Sequence, residues 1–231
     1  MDITKGWEEE GLTKIYLHPG YKLAKQKWPS VIVGQTPSVE DAVFFDINNN
    51  GRVDVISSTE GRNKKVYVNW APDNPDDYLD SSKWKTEILP ASDGLMQWMF
   101  AHPAQIDSKH GTDLIVGSKG HEAKIGWFQA PEDLNNLSHW NWYPINPAGW
   151  VISLLLRGID EDGDMDIVAS DRKPGETNGV RWLENPRKAT NQRQLWDSHL
   201  MGGRGLDVTF LDMFDMDGDG LEDIIVPEAT N

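Results

Sequence analysis

The chain has 231 residues, of which 22 are Lys or Arg and 37 are Asp or Glu, giving a formal net charge of −15. Phosphate backbones bind clustered positive charge, so this balance argues against nucleic acid as a general partner. There is no cysteine to form a disulfide, no apolar run long enough to span a membrane, and no signal peptide before Asp2.

Short runs rich in β-branched and aromatic residues, bounded by Gly, Pro, Asn and Asp, predict strands along the whole chain. The opening piece supplies three, at Asp2–Thr4, Leu12–Leu17 and Val31–Val33. A four-strand grammar follows. Its first strand is apolar: Ala42–Phe45, Val151–Leu156 and Val208–Leu211. The second strand is Val53–Ile56, Asp113–Val116, Asp166–Ala169 and Asp223–Val226. The third ends in an aromatic followed by a proline: Val66–Trp70 with Pro72, Ile125–Trp127 with Pro131, Val180–Trp182 with Pro186. The fourth begins on a tryptophan, at Trp84–Leu89, Trp140–Ile145 and Trp196–Leu200. No segment sustains a helical period, and 11 Trp supply a large buried area for an all-β domain of this length.

Between the first and second strands lies an acidic loop. In Asp215-Met-Asp217-Gly-Asp219-Gly220-Leu-Glu-Asp223, carboxylates at the first, third, fifth and ninth places offer hard oxygen ligands suited to calcium. Gly220 at the sixth place supplies the backbone freedom of a tight turn. An EF-hand needs a glutamate at the twelfth place and flanking helices, whereas Val226 stands there inside a β-branched run. The loop recurs as Asp46, Asn48, Asn50 and Asp54. A further copy keeps Asp160, Asp162 and Asp166, with Gly158 at the first place. A decayed copy ending at Asp113 carries Lys109 at the fifth place, which should repel a cation.

The ninth-place aspartates Asp2, Asp54, Asp113, Asp166 and Asp223 lie 52, 59, 53 and 57 residues apart. Several short strands per unit at such a period are the signature of propeller blades. The motif D-x-[DN]-x-[DN]-G-x-x-D followed by β-branched residues resembles the FG-GAP/VCBS family of β-propeller repeats, and the resemblance runs the length of the chain. It implies one all-β domain over residues 1–231 built of four-stranded antiparallel blades. Its units are a partial repeat 1–39, repeats 40–94, 95–149 and 150–205, and a partial repeat 206–231. Such a chain either closes a four-bladed ring with one strand duplicated or belongs to a larger propeller. The second reading is favoured, and a second chain or a missing segment would then cover an open edge. The resemblance also implies a secreted or extracytoplasmic intact protein.

Two or three structural calcium ions are expected, with the loops of Asp215 and Asp46 the best sites and that of Asp160 weaker. If strands alternate within each unit, the remaining connections gather on the opposite face. There the second-to-third connections bring Arg62, Lys119, His121, Arg172 and Lys173, and the fourth-to-first connections bring Trp98, Trp150 and Arg204. His102 begins an inner strand whose counterparts are apolar. These residues are either solvated turns or a site for carbohydrate or another anionic ligand, since guanidinium forks suit carboxylate and indole suits a sugar face. The expected function is a binding module for carbohydrate, in particular an acidic polysaccharide. An alternative is a polysaccharide lyase or sugar dehydratase, in which Arg62, Arg172 or Arg204 would neutralise a uronate and His121 or His102 would take a proton. A third reading is a protein–protein adhesion or scaffold propeller. No self-contained catalytic motif is present.

Overall fold

The computed structural model describes residues 2–172, 175–187 and 192–229. Runs of Val, Ile, Leu and aromatic residues form strands that pair only with antiparallel neighbours, and the second strand of each four-stranded sheet is buried almost throughout. The first sheet contains β1 (Ile3–Trp7), β2 (Leu12–Tyr16) and β3 (Ser30–Gln35) in that order. Three four-stranded sheets follow, each in sequential order. These are β4 (Val39–Phe45) to β7 (Lys85–Ile88), through β5 (Asp54–Thr59) and β6 (Val66–Trp70); then β8 (Gln97–Ala104) to β11 (Asn141–Pro147), through β9 (Asp113–Lys119) and β10 (Lys124–Gln129). The third runs from β12 (Val151–Arg157) to β15 (Asp197–Gly202), through β13 (Asp166–Asp171) and β14 (Gly179–Glu184). A last pair joins β16 (Asp212–Phe214) to β17 (Asp223–Ile225). The strand expected at Val208–Leu211 is instead a single bridge from Val208 to Glu228, and regular pairing starts at Asp212.

The sheets stack face to face in chain order, and the apolar clusters lie between them. Ile15, Val31 and Val33 pack with Val55 and Trp84; Ile56 and Val68 pack with Trp98, Leu114 and Phe128. Ile115, Ile125 and Trp127 pack with Leu154, Ile167 and Leu183; Val168 and Val180 pack with Leu211 and Met213. First strands of successive sheets are neighbours, β4 beside β8 and β8 beside β12. The Asp41 carboxylate bridges the first two, accepting the Ala101 N–H at 3.1 Å. Phe100 on β8 meets Phe210 edge to face, with ring centroids 5.5 Å apart.

One small residue recurs where the sheets press together. Val39, Trp98 and Val151, at or next to the start of their strands, pair with Thr59, Ser118 and Asp171, and each pairing is followed by a bulge. The residue just before each of those partners is Ser58, Gly117 or Ser170. A Cβ on Gly117 would lie 2.6 Å from Val151 Cγ1, and one on Gly6 would lie 2.7 Å from Val39 Cγ2. Gly6 therefore occupies the second-strand position, so β1, β2 and β3 correspond to second, third and fourth strands. Overpacking of this kind costs about 1–3 kcal/mol. Gly117→Ala should lower stability by that amount in chemical denaturation, whereas Gly202→Ala, which meets nothing within 4 Å, should change it little.

Candidate functional site

Each acidic loop is closed by its ninth-place aspartate, and in three of the four this carboxylate takes one backbone N–H on each oxygen. Asp54 accepts from Ile47 at 3.3 Å and from Ala71 at 2.8 Å. Asp113 accepts from Ile106 at 2.9 Å and Ala130 at 2.8 Å, and Asp166 from Ile159 at 3.0 Å and Asn185 at 2.9 Å. Asp223 accepts from Met216 at 3.0 Å. One carboxylate thus ties the start of the loop to the residue leaving the third strand. Asp54, Asp113 and Asp166 are buried. Burial pushes Asp54 up to about 6, Asp113 up to about 7 and Asp166 upward, against the opposing pull of the N–H donors.

The other ligand places differ between loops. Asp46 accepts the N–H groups of Asn50 at 3.0 Å and Gly51 at 2.9 Å, and Asp215 those of Gly218 at 2.7 Å and Gly220 at 3.1 Å. Gly51 and Gly220 turn the chain with φ of 84° and 92°. Asp215, Asp217 and Asp223 each bring an oxygen to within 4.8 Å of the others, a spacing that fits a calcium ion with bonds of about 2.3–2.6 Å. Asp219 accepts the Leu221 N–H at the rim of this loop. In the Asp46 loop, Asn48 donates its amide to Asn135 at 2.9 Å, leaving its buried Oδ1 without a hydrogen-bond donor. An orphaned oxygen in a loop that also carries Asp46, Asn50 and Asp54 is what a hard cation would satisfy. The Asp160 loop holds a guanidinium instead: Arg187 lies 2.6 Å from Asp162 and 3.4 Å from Asp164. In the decayed loop, Lys109 is 3.5 Å from Asp107, which also accepts from Gln129.

Of the residues expected on the opposite face, Lys119, Trp150 and Arg172 lie together. Lys119 pairs with Glu40 at 3.1 Å and with Glu60, and its ammonium lies 4.8 Å from the Trp150 ring. Arg172 lies 5.1 Å from the same ring and pairs with Asp207, its Nη2 at 3.1 Å from Oδ2. Asp171 sets the turn beneath, its two oxygens each accepting a backbone N–H at 2.7 Å, from Gly149 and Trp150. Arg62 and His121 are exposed, as is Arg204, which reaches the Glu176 carbonyl at 3.4 Å. Lys173 lies outside the described residues.

Two expected residues sit elsewhere. Trp98 is wholly buried, donates its indole N–H to Ser92 O at 3.0 Å, and packs on Phe128 and Trp142, so it cannot meet a ligand. Its register position is that of Val39 and Val151, a core position the connection-based reading overlooked. His102 is half-buried along β8; burial, then the charge of Arg157, holds its imidazole below the usual range. The acidic groups of this face were not anticipated. Glu8, Glu40 and Glu60 bring carboxylate oxygens within 4.8 Å of one another, and Lys119 neutralises two of them.

A carboxyl raised from about 4 to about 7 contributes stability that is complete below the unfolded value and lost as pH rises through the folded one. Wild-type protein should therefore lose stability between pH 4 and 7, and Asp113→Asn, which cannot ionise, should flatten that slope. An unchanged slope would remove Asp113 as its source.

No family model and no curated protein matches the chain. Its structure is similar to the solved structure of an Agrocybe aegerita lectin described as specifically recognising non-reducing terminal N-acetylglucosamine, with a TM-score of 0.52 at 14% identity. The match covers 94% of this chain and 55% of the other, so the chain spans about half the length of that lectin. At this identity the likeness establishes the fold: antiparallel sheets of up to four strands, stacked as in part of a longer lectin.

Proposed function

We propose that the chain forms part of a calcium-stabilised β-propeller of FG-GAP/VCBS type and binds carbohydrate on the face opposite its metal loops. The observation that carries the binding reading is the setting of Trp150. A half-buried indole stands at a junction of connections with two cations near its ring, held by a carboxylate on its own backbone turn. Aromatic faces ringed by hydrogen-bonding charged groups suit the mixed apolar and polar surface of a sugar. The lectin similar in fold makes carbohydrate the first ligand class to test. Glu40, Glu60 and Asp207 offset much of the positive charge there, so neutral glycans belong in the panel beside acidic ones. Exposed Arg62, His121 and Arg204 would add contacts at the rim.

The metal reading rests on the three converging carboxylates of the Asp215 loop and on the orphaned Asn48 oxygen of the Asp46 loop. In a propeller, Ile3 and Trp7 at one end and Phe214 and Ile225 at the other, all exposed in this chain, would be covered by a completing segment or a second chain.

Binding of calcium-loaded protein to neutral and acidic polysaccharides should be measured in affinity gels, with absorbance of unsaturated uronate followed in parallel. Trp150→Ala should weaken retardation at least about tenfold, or roughly 1.4 kcal/mol, with an unchanged melting temperature. Retention of full binding would move the site elsewhere, and growing absorbance would make the protein a lyase. Chelation should lower the melting temperature and added calcium restore it. Asp215→Ala should lose part of that calcium-dependent increment and Asp107→Ala none of it.

A further inference from the structure

The four complete loops fall into two classes, and the division follows the residue at the first place. Loops that begin with a carboxylate, at Asp46 and Asp215, use it to accept two backbone N–H groups. Among the described residues, no lysine or arginine forms an ion pair with Asp46, Asp215, Asp217, Asp219 or Asp223. The other two loops begin with Gln105 and Gly158. Gln105 donates its amide to the carbonyls of Lys109 at 3.1 Å and Gly111 at 2.8 Å, so a neutral group braces that turn. In both of these loops a side chain of the protein brings positive charge to the remaining carboxylates.

The positive group differs in origin but not in effect. Lys109 belongs to its own loop and pairs with Asp107 at 3.5 Å. Arg187 comes from the connection after the third strand, beyond the Asn185 amide that Asp166 holds. Its guanidinium reaches Asp162 at 2.6 Å and Asp164 at 3.4 Å, and its Nη2 lies 3.5 Å from where a Cβ on Gly163 would stand. It therefore lies across the turn of the loop. A calcium ion there would face a fixed like charge within a few ångströms, with one carboxylate fewer to offset it.

We propose that calcium enters only the loops of Asp46 and Asp215, and that the loops ending at Asp113 and Asp166 are neutralised internally by Lys109 and Arg187. The proposal rests on the calcium reading for its ion count, but not for the role it gives Arg187. It narrows the expected two or three ions to two: the donors Asp160, Asp162 and Asp166 are present, but Arg187 lies in their field.

The test uses the full chain, stripped with chelator and titrated with calcium chloride by calorimetry, with melting followed in parallel. Wild type should bind two ions, and Asp46→Ala and Asp215→Ala one each. Arg187→Gln should melt below wild type in chelator, recover with calcium, and bind three ions; Arg187→Lys should stay near wild type in chelator. A wild-type count of three, or a count of two for both wild type and Arg187→Gln, would overturn the proposal while leaving the calcium reading intact. A count of zero in wild type and every variant would overturn the calcium reading. In that case, an Arg187→Gln variant that melts with wild type in chelator would also remove the internal role of Arg187.

Discussion

A buried carboxylate that clamps two backbone N–H groups underlies each of the three four-stranded sheets. Removing Asp54, Asp113 or Asp166 from water is costly, as their raised proton affinities record, and only the paired donors offset the cost. Each clamp joins the entry of the acidic loop to the exit of the third strand. Three strands are thereby fixed relative to one another by a single side chain. The loop is then forced outward with its other carboxylates crowded together, and the crowding creates the demand for positive charge.

Stacking of the sheets depends on a second constraint of the same periodicity. Four residues beyond Asp2, Asp54, Asp113 and Asp166 the side chain is small, Gly6, Ser58, Gly117 and Ser170, and at Gly6 and Gly117 the first strand of the next sheet presses there. The bulge that follows turns the strand into the core, and the apolar clusters fill the space between neighbouring sheets. The same geometry sends the acidic loops to one face and Trp150, Lys119 and Arg172 to the other. Loop chemistry and ligand chemistry are thus separated by the length of the strands.

Much of the sheet order was legible because local signals agree with one another. A β-branched run follows each ninth-place aspartate, an aromatic and a proline end each third strand, and a tryptophan opens three outer strands. The all-β antiparallel character follows from that consistency. Side-chain partners across connections were not legible. Glu40 reaches Lys119 and Arg187 reaches Asp162 only because the fold brings distant segments together, and nothing local distinguishes them from solvated charges. Trp98 was misjudged for a related reason. A tryptophan at the end of a connection resembles a displayed aromatic, and only its register with Val39 and Val151 marks it as core.

Internal cations and bound ions neutralise crowded carboxylates with different consequences. An arginine costs side-chain entropy, and a half-exposed pair such as Arg187 with Asp162 returns little in water, yet it is present at every calcium concentration. A bound ion stabilises in proportion to the logarithm of its concentration over its dissociation constant. The Asp215 loop joins β16 to β17, a pair with Phe214 and Ile225 exposed and only Met213 fully buried on its strands. The Asp160 loop closes a four-stranded sheet whose second strand is buried throughout. The Asp46 loop differs from that of Asp215 in the same way, since it leads into a β5 that is buried throughout. Of the two proposed calcium sites, the one at Asp215 should therefore carry the larger share of its sheet's stability, and calcium should matter more to the last pair of strands than to the sheet of β4 to β7.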